Sequence, residues 1–276
     1  MPTLLVLTDF SEAAMHASKY ACKFAQQYNF NRIILYHNYE VIVPATDLPV
    51  TMYDNDDILY RQHMQQLAEL RESLSGLVND PINIETMTET GFLRENINSV
   101  AQKEMADIIV MGMRGKSKLE KILIGSSTVN VAEQSDFPLL IVPDQAPITP
   151  IHNILFACDL KKVTKTTPAD SLSRILNIFQ AKLHVLNVHD DDKHSSTETP
   201  QEISRLNQLL DNYQPEYHFV GDKDVVSAIM QFARERKISL IITIPKKHGL
   251  FQQLFHRSVS EKLIYHTDIP LLCLHE

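Results

Sequence analysis

After an apolar stretch at 108–111, the chain places Gly112, two residues, Gly115, nine residues, then Gly125 and Ser126. The whole sequence holds only seven glycines, and three of them fall here. Glycine admits positive φ and lets another group approach the backbone closely. Ser126, Ser127 and Thr128 follow, at the start of a stretch expected to be helical as far as Glu133. A glycine loop that opens a helix presents N–H groups and hydroxyls together, which is the chemistry of anion binding. The pattern reads as a phosphate cradle.

Such a cradle needs a strand before it and a helix after it, and the surrounding sequence alternates in that way. Residues 4–8 form a continuous apolar run, as in a strand buried on both faces. Ala13, Ala14, Ala17, Tyr20, Ala21, Phe24 and Ala25 follow at helical spacing, with Ser11 as N-cap. Strands are expected at 33–37, 82–87, 108–111 and 139–142, with a charged helix at 53–77 and another carrying Leu93, Ile97, Val100 and Ala101. The βαβαβαβαβ order implies a parallel sheet with helices on both faces. Ligands of such sheets bind beyond the carboxyl ends of the strands. There stand Asp9 after the first strand, His37 and Asn38 at the end of the second, and the glycine loop after the fourth. The loop is neither a dinucleotide fingerprint, which follows a first strand, nor a Walker A loop, which ends in G-K-[ST]. No G-x-S-x-G elbow occurs.

The chain repeats itself. LLVLTDFSE near residue 4 matches ILFACDLKK near 154, RIILYHNYE matches KLHVLNVHD, ADIIVMGMRG matches ISLIITIPKK, and SDFPLLIVP matches TDIPLLCLH. Four matches in the same order denote a tandem duplication. The proline-containing stretch DQAPITP at 144–150 is the expected linker between units 1–144 and 151–276. In the second copy, Leu172, Ile175, Leu176 and Phe179 mark one helix, and Val225, Val226, Ile229, Phe232 and Ala233 another.

Composition bounds the function. With 276 residues, 44% apolar content and a net charge of −8, the chain suits two globular domains and argues against nucleic acid as a partner. No spanning helix or signal peptide is expected, and a cytoplasmic location with no membrane partner follows. Three widely spaced cysteines fit reduced thiols better than a disulfide framework. The twelve histidines show no H-x-x-x-H or Cys/His ligand spacing, so no metal site is expected.

TDFSE at 8–12, the G-x2-G-x9-G-S of Gly112 to Ser126 and the closing FPLLIVP resemble the universal stress protein family over the whole first copy. The resemblance implies tandem five-stranded parallel α/β sandwich domains of the adenine-nucleotide α-hydrolase-like type. They would be packed as a pseudo-dimer in which the fifth strands, 139–142 and 271–274, pair across a two-fold axis. It further implies ATP, with or without Mg²⁺, bound in the first domain only. Asp9 would contact the nucleoside, Asn38 would offer backbone atoms to adenine, and Gly112, Gly115, Gly125 and Ser126 would wrap the phosphates. Ser127 and Thr128 would add donors, and Thr8, Met111 and Arg114 complete the candidate set. No catalytic residue is implied.

The second copy departs from the pattern. Asp159 matches Asp9, but Val188 stands for Asn38, Pro245 stands near the place of Gly112, and Arg257 replaces Gly125. Lys246, Lys247, His248 and Arg257 form a basic cluster, and Ser258 with Glu261 suits a capping box. Plainer roles stand beside the functional ones. Asp9 could be a turn former and His37 a packed strand-end residue. The helix at 53–77 could be a solvated face with a Leu67, Leu70, Leu74 stripe, and nothing marks Cys158 as a lowered-pKa thiol. The functional expectation is a cytosolic stress-response protein that binds an adenine nucleotide as sensor or regulator. A nucleotide-free ligand-binding or scaffold protein is the alternative. A slow ATPase or self-phosphorylating protein, with Ser126 or Thr128 as acceptor, is a third; a further homodimer is open.

Overall fold

The computed structural model describes residues 1–40, 52–79, 81–113, 126–189, 199–245 and 259–275. In the first half β1 (Thr3–Leu7), α1 (Glu12–Gln27), β2 (Arg32–Tyr39), α2 (Met52–Ser75), β3 (Asn83–Thr90), α3 (Leu93–Lys103), β4 (Ile108–Met113), α4 (Ser126–Gln134) and β5 (Leu139–Pro143) follow one another. The second half has β6 (Asn153–Ala157), α5 (Val163–Thr166), α6 (Ala169–Phe179), β7 (Lys182–His189) and α7 (Thr199–Leu210). It continues with β8 (Glu216–Gly221), α8 (Val225–Glu235), β9 (Leu240–Thr243), α9 (Val259–His266) and β10 (Leu271–Cys273). The expected alternation is therefore present in both copies.

All ten strands join one sheet in the order β3-β2-β1-β4-β5-β10-β9-β6-β7-β8. Pairing within each half is parallel, and the halves meet through an antiparallel rung set, Leu271 opposite Ile141, Leu272 opposite Leu140 and Cys273 opposite Leu139. The fifth strands thus pair as expected. Each would otherwise offer an open apolar edge.

Alternation along a strand sends successive side chains to opposite faces. Leu4 and Val6 of β1 pack with Ala17, Ala21 and Phe24 of α1 and with the Leu67, Leu70, Leu74 stripe of α2. Leu5 and Leu7 pack on the other face with Ile97 and Val100 of α3 and Val131 of α4. Both core layers run through the seam, because Leu140 and Leu272 lie in one and Leu139 and Leu271 in the other. Helices join the halves too: Phe179 of α6 meets Phe24 and Tyr28 edge-on, with ring centroids 5.7 and 4.9 Å apart. The Tyr28 hydroxyl accepts from Ile151 N at 2.8 Å, and His16 Nε2 donates to Ala146 O at 3.0 Å. These bonds fasten the linker to α1.

The copies differ most where α1 is one continuous helix. Its counterpart is split into α5 and α6 around Pro168, whose ring and missing N–H interrupt a helix. Lys162, at the N-cap of α5, adopts φ 53°. Buried Glu202 of α7 replaces a normal cap there by accepting from Val163 N at 2.6 Å. Cys22 and Cys273 are buried thiols, burial pushing the first up to about 11 and the second up to about 12, and no disulfide occurs among the described residues.

Candidate functional site

β1 neighbours β2 on one side and β4 on the other, so strand order reverses at β1 and a crevice opens beyond its carboxyl end. Backbone and side-chain bonds fix the turn that follows. Thr8 N donates to Tyr36 O at 2.9 Å, and Thr8 Oγ1 accepts from Phe10 N at 3.1 Å. Asp9 Oδ1 accepts from Ser11 N at 3.0 Å, and Ser11 Oγ, the expected N-cap, accepts from Ala14 N at 3.2 Å. Phe10 is held at φ 64°, a left-handed conformation costing a residue with Cβ about 1 kcal/mol. Its ring lies 4.6 Å from that of His37. The second copy repeats the turn, with Lys161 N on Asp159 Oδ1 at 3.2 Å and Leu160 at φ 52°. One oxygen of Asp9 therefore has a structural task common to both copies, while the residue itself is exposed at the crevice.

The side chain of Asn38 is held by three bonds within the protein. Its Oδ1 accepts from Tyr36 Oη at 3.0 Å and from Asn96 Nδ2 at 2.9 Å, and its Nδ2 donates to Gly91 O. Its backbone is placed differently. Tyr36 O faces β1 and Tyr39 O faces β3, where it accepts from Gly91 N. Alternation then turns the N–H and C=O of Asn38 to the β1 side, one step past the last rung.

Gly112, at the end of β4, sits against the first turn of α1. A Cβ there would lie 2.3 Å from Ala13 O, 2.6 Å from Ala13 C and 2.9 Å from Ala14 N. Close approach demands this glycine, as the sequence suggests, but the group that approaches is the α1 backbone. Together Thr8, Asp9, Asn38, Met111, Gly112 and Thr128 line one cleft of about 450 Å³. Arg114, Gly115 and Gly125 lie outside the described residues. Ser126 and Ser127 are described only as the first residues of α4.

Sequence reading missed Tyr36, Glu40 and Leu93, which also line the cleft. Tyr36 and Glu40 stand two residues either side of Asn38, so period-two alternation from Asn38 would have found them. His37 is buried, with Nδ1 donating to Thr8 O at 2.8 Å, and belongs to the strand end rather than to the cleft lining. Burial holds its pKa below the usual histidine range, against the opposing effect of the Thr8 bond.

The equivalent cleft of the second copy is smaller, about 200 Å³, and more apolar. Leu4 pairs with Ile108 as Ile154 pairs with Leu240, which puts Ile244, not Pro245, in the place of Gly112; Pro245 is the counterpart of Met113. Ile244 lines the cleft with Val188, Val225 and Cys158. Lys246, Lys247, His248, Arg257 and Ser258 lie outside the described residues, and the side chain of Glu261 is likewise not described.

The model of the universal stress protein family matches this chain twice, over residues 1–143 and 150–275. A universal stress protein of Methanocaldococcus jannaschii is 27% identical over 151 residues, covering 50% of this chain and 93% of that protein. Universal stress protein G of Shigella flexneri is 28% identical over 108 residues, or 38% of this chain and 75% of its own length. Among solved structures, a universal stress protein from Archaeoglobus fulgidus aligns over 99% of this chain and 98% of its own, with a TM-score of 0.75 at 19% identity. That likeness concerns the fold, and it spans both halves and the seam.

Proposed function

The chain belongs to the universal stress protein family through both of its halves, and from that premise we propose that the first half, 1–144, binds ATP or another adenine nucleotide and makes the protein a nucleotide-responsive regulator. One observation carries the reading. Thr8, Asp9, Asn38, Met111, Gly112 and Thr128, far apart in sequence, converge on a single cleft at the switch in strand order, of a size suited to small-molecule ligands. In this reading the backbone of Asn38 meets the adenine edge and the exposed carboxylate of Asp9 meets the ribose hydroxyls. The phosphates lie at the N-terminus of α4, where N–H groups and the helix dipole favour negative charge. Arg114, Gly115, Gly125, Ser126 and Ser127 complete the phosphate side. The second half is excluded because Val188 and Ile244 make its cleft apolar and narrower.

Titration calorimetry with ATP and Mg²⁺ tests this. One site per chain is expected. Gly125→Arg, which copies Arg257 into the first loop, should abolish the binding heat while leaving the melting curve unchanged. Two equal sites would refute the restriction to the first half, and no site would refute nucleotide binding. Phosphate release from the same preparation separates binding from slow hydrolysis.

A further inference from the structure

Duplication supplies an internal control for the paired strand positions, and among the described residues it isolates one cluster that only the second copy has. β7 and β8 pair in parallel with His184 directly opposite Glu216. His218, two residues along β8, lies on the same face as Glu216. His184 Nδ1 stands 3.2 Å from His218 Nε2 and 3.4 Å from Glu216 Oε2, and His218 Nε2 stands 3.9 Å from the same oxygen. A tetrahedral ion with bonds of about 2.0–2.2 Å to nitrogen and oxygen sets its ligand atoms about 3.3–3.5 Å apart. The three separations scatter around that edge length. We propose that His184, Glu216 and His218 form a site for a divalent transition-metal ion that accepts mixed nitrogen and oxygen ligands, such as Zn²⁺ or Co²⁺.

The first copy shows what the sheet edge requires without such an ion. Its register puts Arg32, Ile34, Glu85 and Met87 where the second copy has Lys182, His184, Glu216 and His218. The carboxylate and its cation are common to both, Arg32 to Glu85 at 2.7 Å and Lys182 to Glu216 at 2.6 Å. That ion pair explains Glu216 structurally. It explains neither histidine, since an isoleucine and a methionine serve at their places in the first copy. The two imidazoles are the addition, and both converge on the oxygen that Lys182 leaves, Oε2, because Lys182 holds Oε1.

The surroundings suit ligation. Phe232 of α8 packs on both rings, 4.7 Å from His218 and 6.1 Å from His184 between centroids, which fixes their orientation. Lys182 on the distal carboxylate oxygen is an outer partner that orients a ligand. It and Arg236, stacked 5.6 Å over Phe232, also oppose a dication, so the ion has to be one that binds imidazole strongly rather than Ca²⁺ or Mg²⁺. β8 is the last strand of the sheet, and Glu216 and His218 are half-buried, so an ion can enter from the sheet edge while His184 closes the site from within.

The test is titration of EDTA-treated full-length protein with Co²⁺, read by visible absorption. One equivalent per chain with a nitrogen–oxygen d–d spectrum is expected. His218→Met and His184→Ile each install the residue the first copy carries, and each should weaken binding by at least the roughly 10- to 100-fold that loss of an outer partner costs. Zn²⁺ should raise the unfolding midpoint of the unaltered protein and not that of His218→Met. Co²⁺ binding by a folded His218→Met with unchanged stoichiometry and spectrum would place the ion on other histidines and overturn the proposal. So would absence of binding by the unaltered protein at millimolar metal.

Discussion

Replacing Gly112 with alanine separates two reasons for a glycine in this motif: space for a ligand and space for the protein's own backbone. The new Cβ would stand 2.3 Å from Ala13 O, where ordinary contact begins near 3.4 Å, so a displacement of roughly 1.1 Å has to be found. The obstructing atoms are main-chain atoms of the first turn of α1 and cannot rotate away. β4 cannot retreat either, because it is bonded to β1 on one side and β5 on the other. The helix must slide, which costs about 1–3 kcal/mol as overpacking. Sliding also disturbs the Ser11 cap, for about 1 kcal/mol more. A total of about 2–4 kcal/mol corresponds to a melting temperature lower by roughly 3–7 °C for a chain of 276 residues. Thermal unfolding of the nucleotide-free protein, followed by circular dichroism, is the assay. Gly76→Ala is the control: nothing lies within 4 Å of the added Cβ, and the change should be neutral or slightly stabilising. A Gly112→Ala protein that melts within about 2 °C of the unaltered one would refute the steric reasoning. If that protein also lost ATP, the glycine would serve the ligand alone.

Three further outcomes follow from the same structure. His37 has Nε2 buried without a hydrogen-bond partner among the described residues, and burial keeps it neutral below the usual range against nearby Asp9 and beside His63. The unfolded chain therefore binds the proton first, and stability is lost as pH falls from about 6.5 through the lowered folded value. Imidazole NMR shifts should show His37 titrating below the ordinary histidine value of about 6.5, and titration at or above 6.5 would contradict this. Arg32 forks onto Glu85 at 3.0 and 2.7 Å and reaches the side chain and carbonyl of Glu104 at 2.7 and 3.0 Å, tying β2, β3 and the end of α3 together. Arg32→Met should cost about 1–3 kcal/mol in urea unfolding, whereas Lys182→Met, on the more exposed equivalent pair, should cost under about 1. Equal costs would show that the Glu104 arm contributes nothing. A fragment of residues 1–144 loses β10 from the edge of β5 and Phe179 from Phe24, so it should dimerise. Sedimentation as a stable monomer at tens of micromolar would count against the seam as the source of that edge's cover.

Much of the fold was legible in the sequence because it is written in local periodicity. The apolar run at 4–8, the alanine-rich spacing of α1, the Ser11 cap and the Leu67, Leu70, Leu74 stripe each follow from neighbours within a turn or two, and each lies where that spacing puts it. The repeat fixed the duplication, and resemblance to a family supplied the pairing of the fifth strands. Tertiary structure alone decided questions of register. It set the antiparallel seam, Leu271 opposite Ile141 and Cys273 opposite Leu139, whereas Ile244 as the counterpart of Gly112 already follows from aligning ADIIVMGMRG with ISLIITIPKK. It gave Gly112 its reason, a helix backbone contributed from some hundred residues earlier. It added Leu93 to the cleft and brought Glu202 of α7 to the start of α5. It also brought His184 to Glu216 and His218 across two strands, where spacing along the chain shows no ligand motif. Helix and strand periodicities are set by residues a few positions apart, whereas a site at the end of a parallel sheet is assembled by crossovers, and only the paired register says which side chains meet.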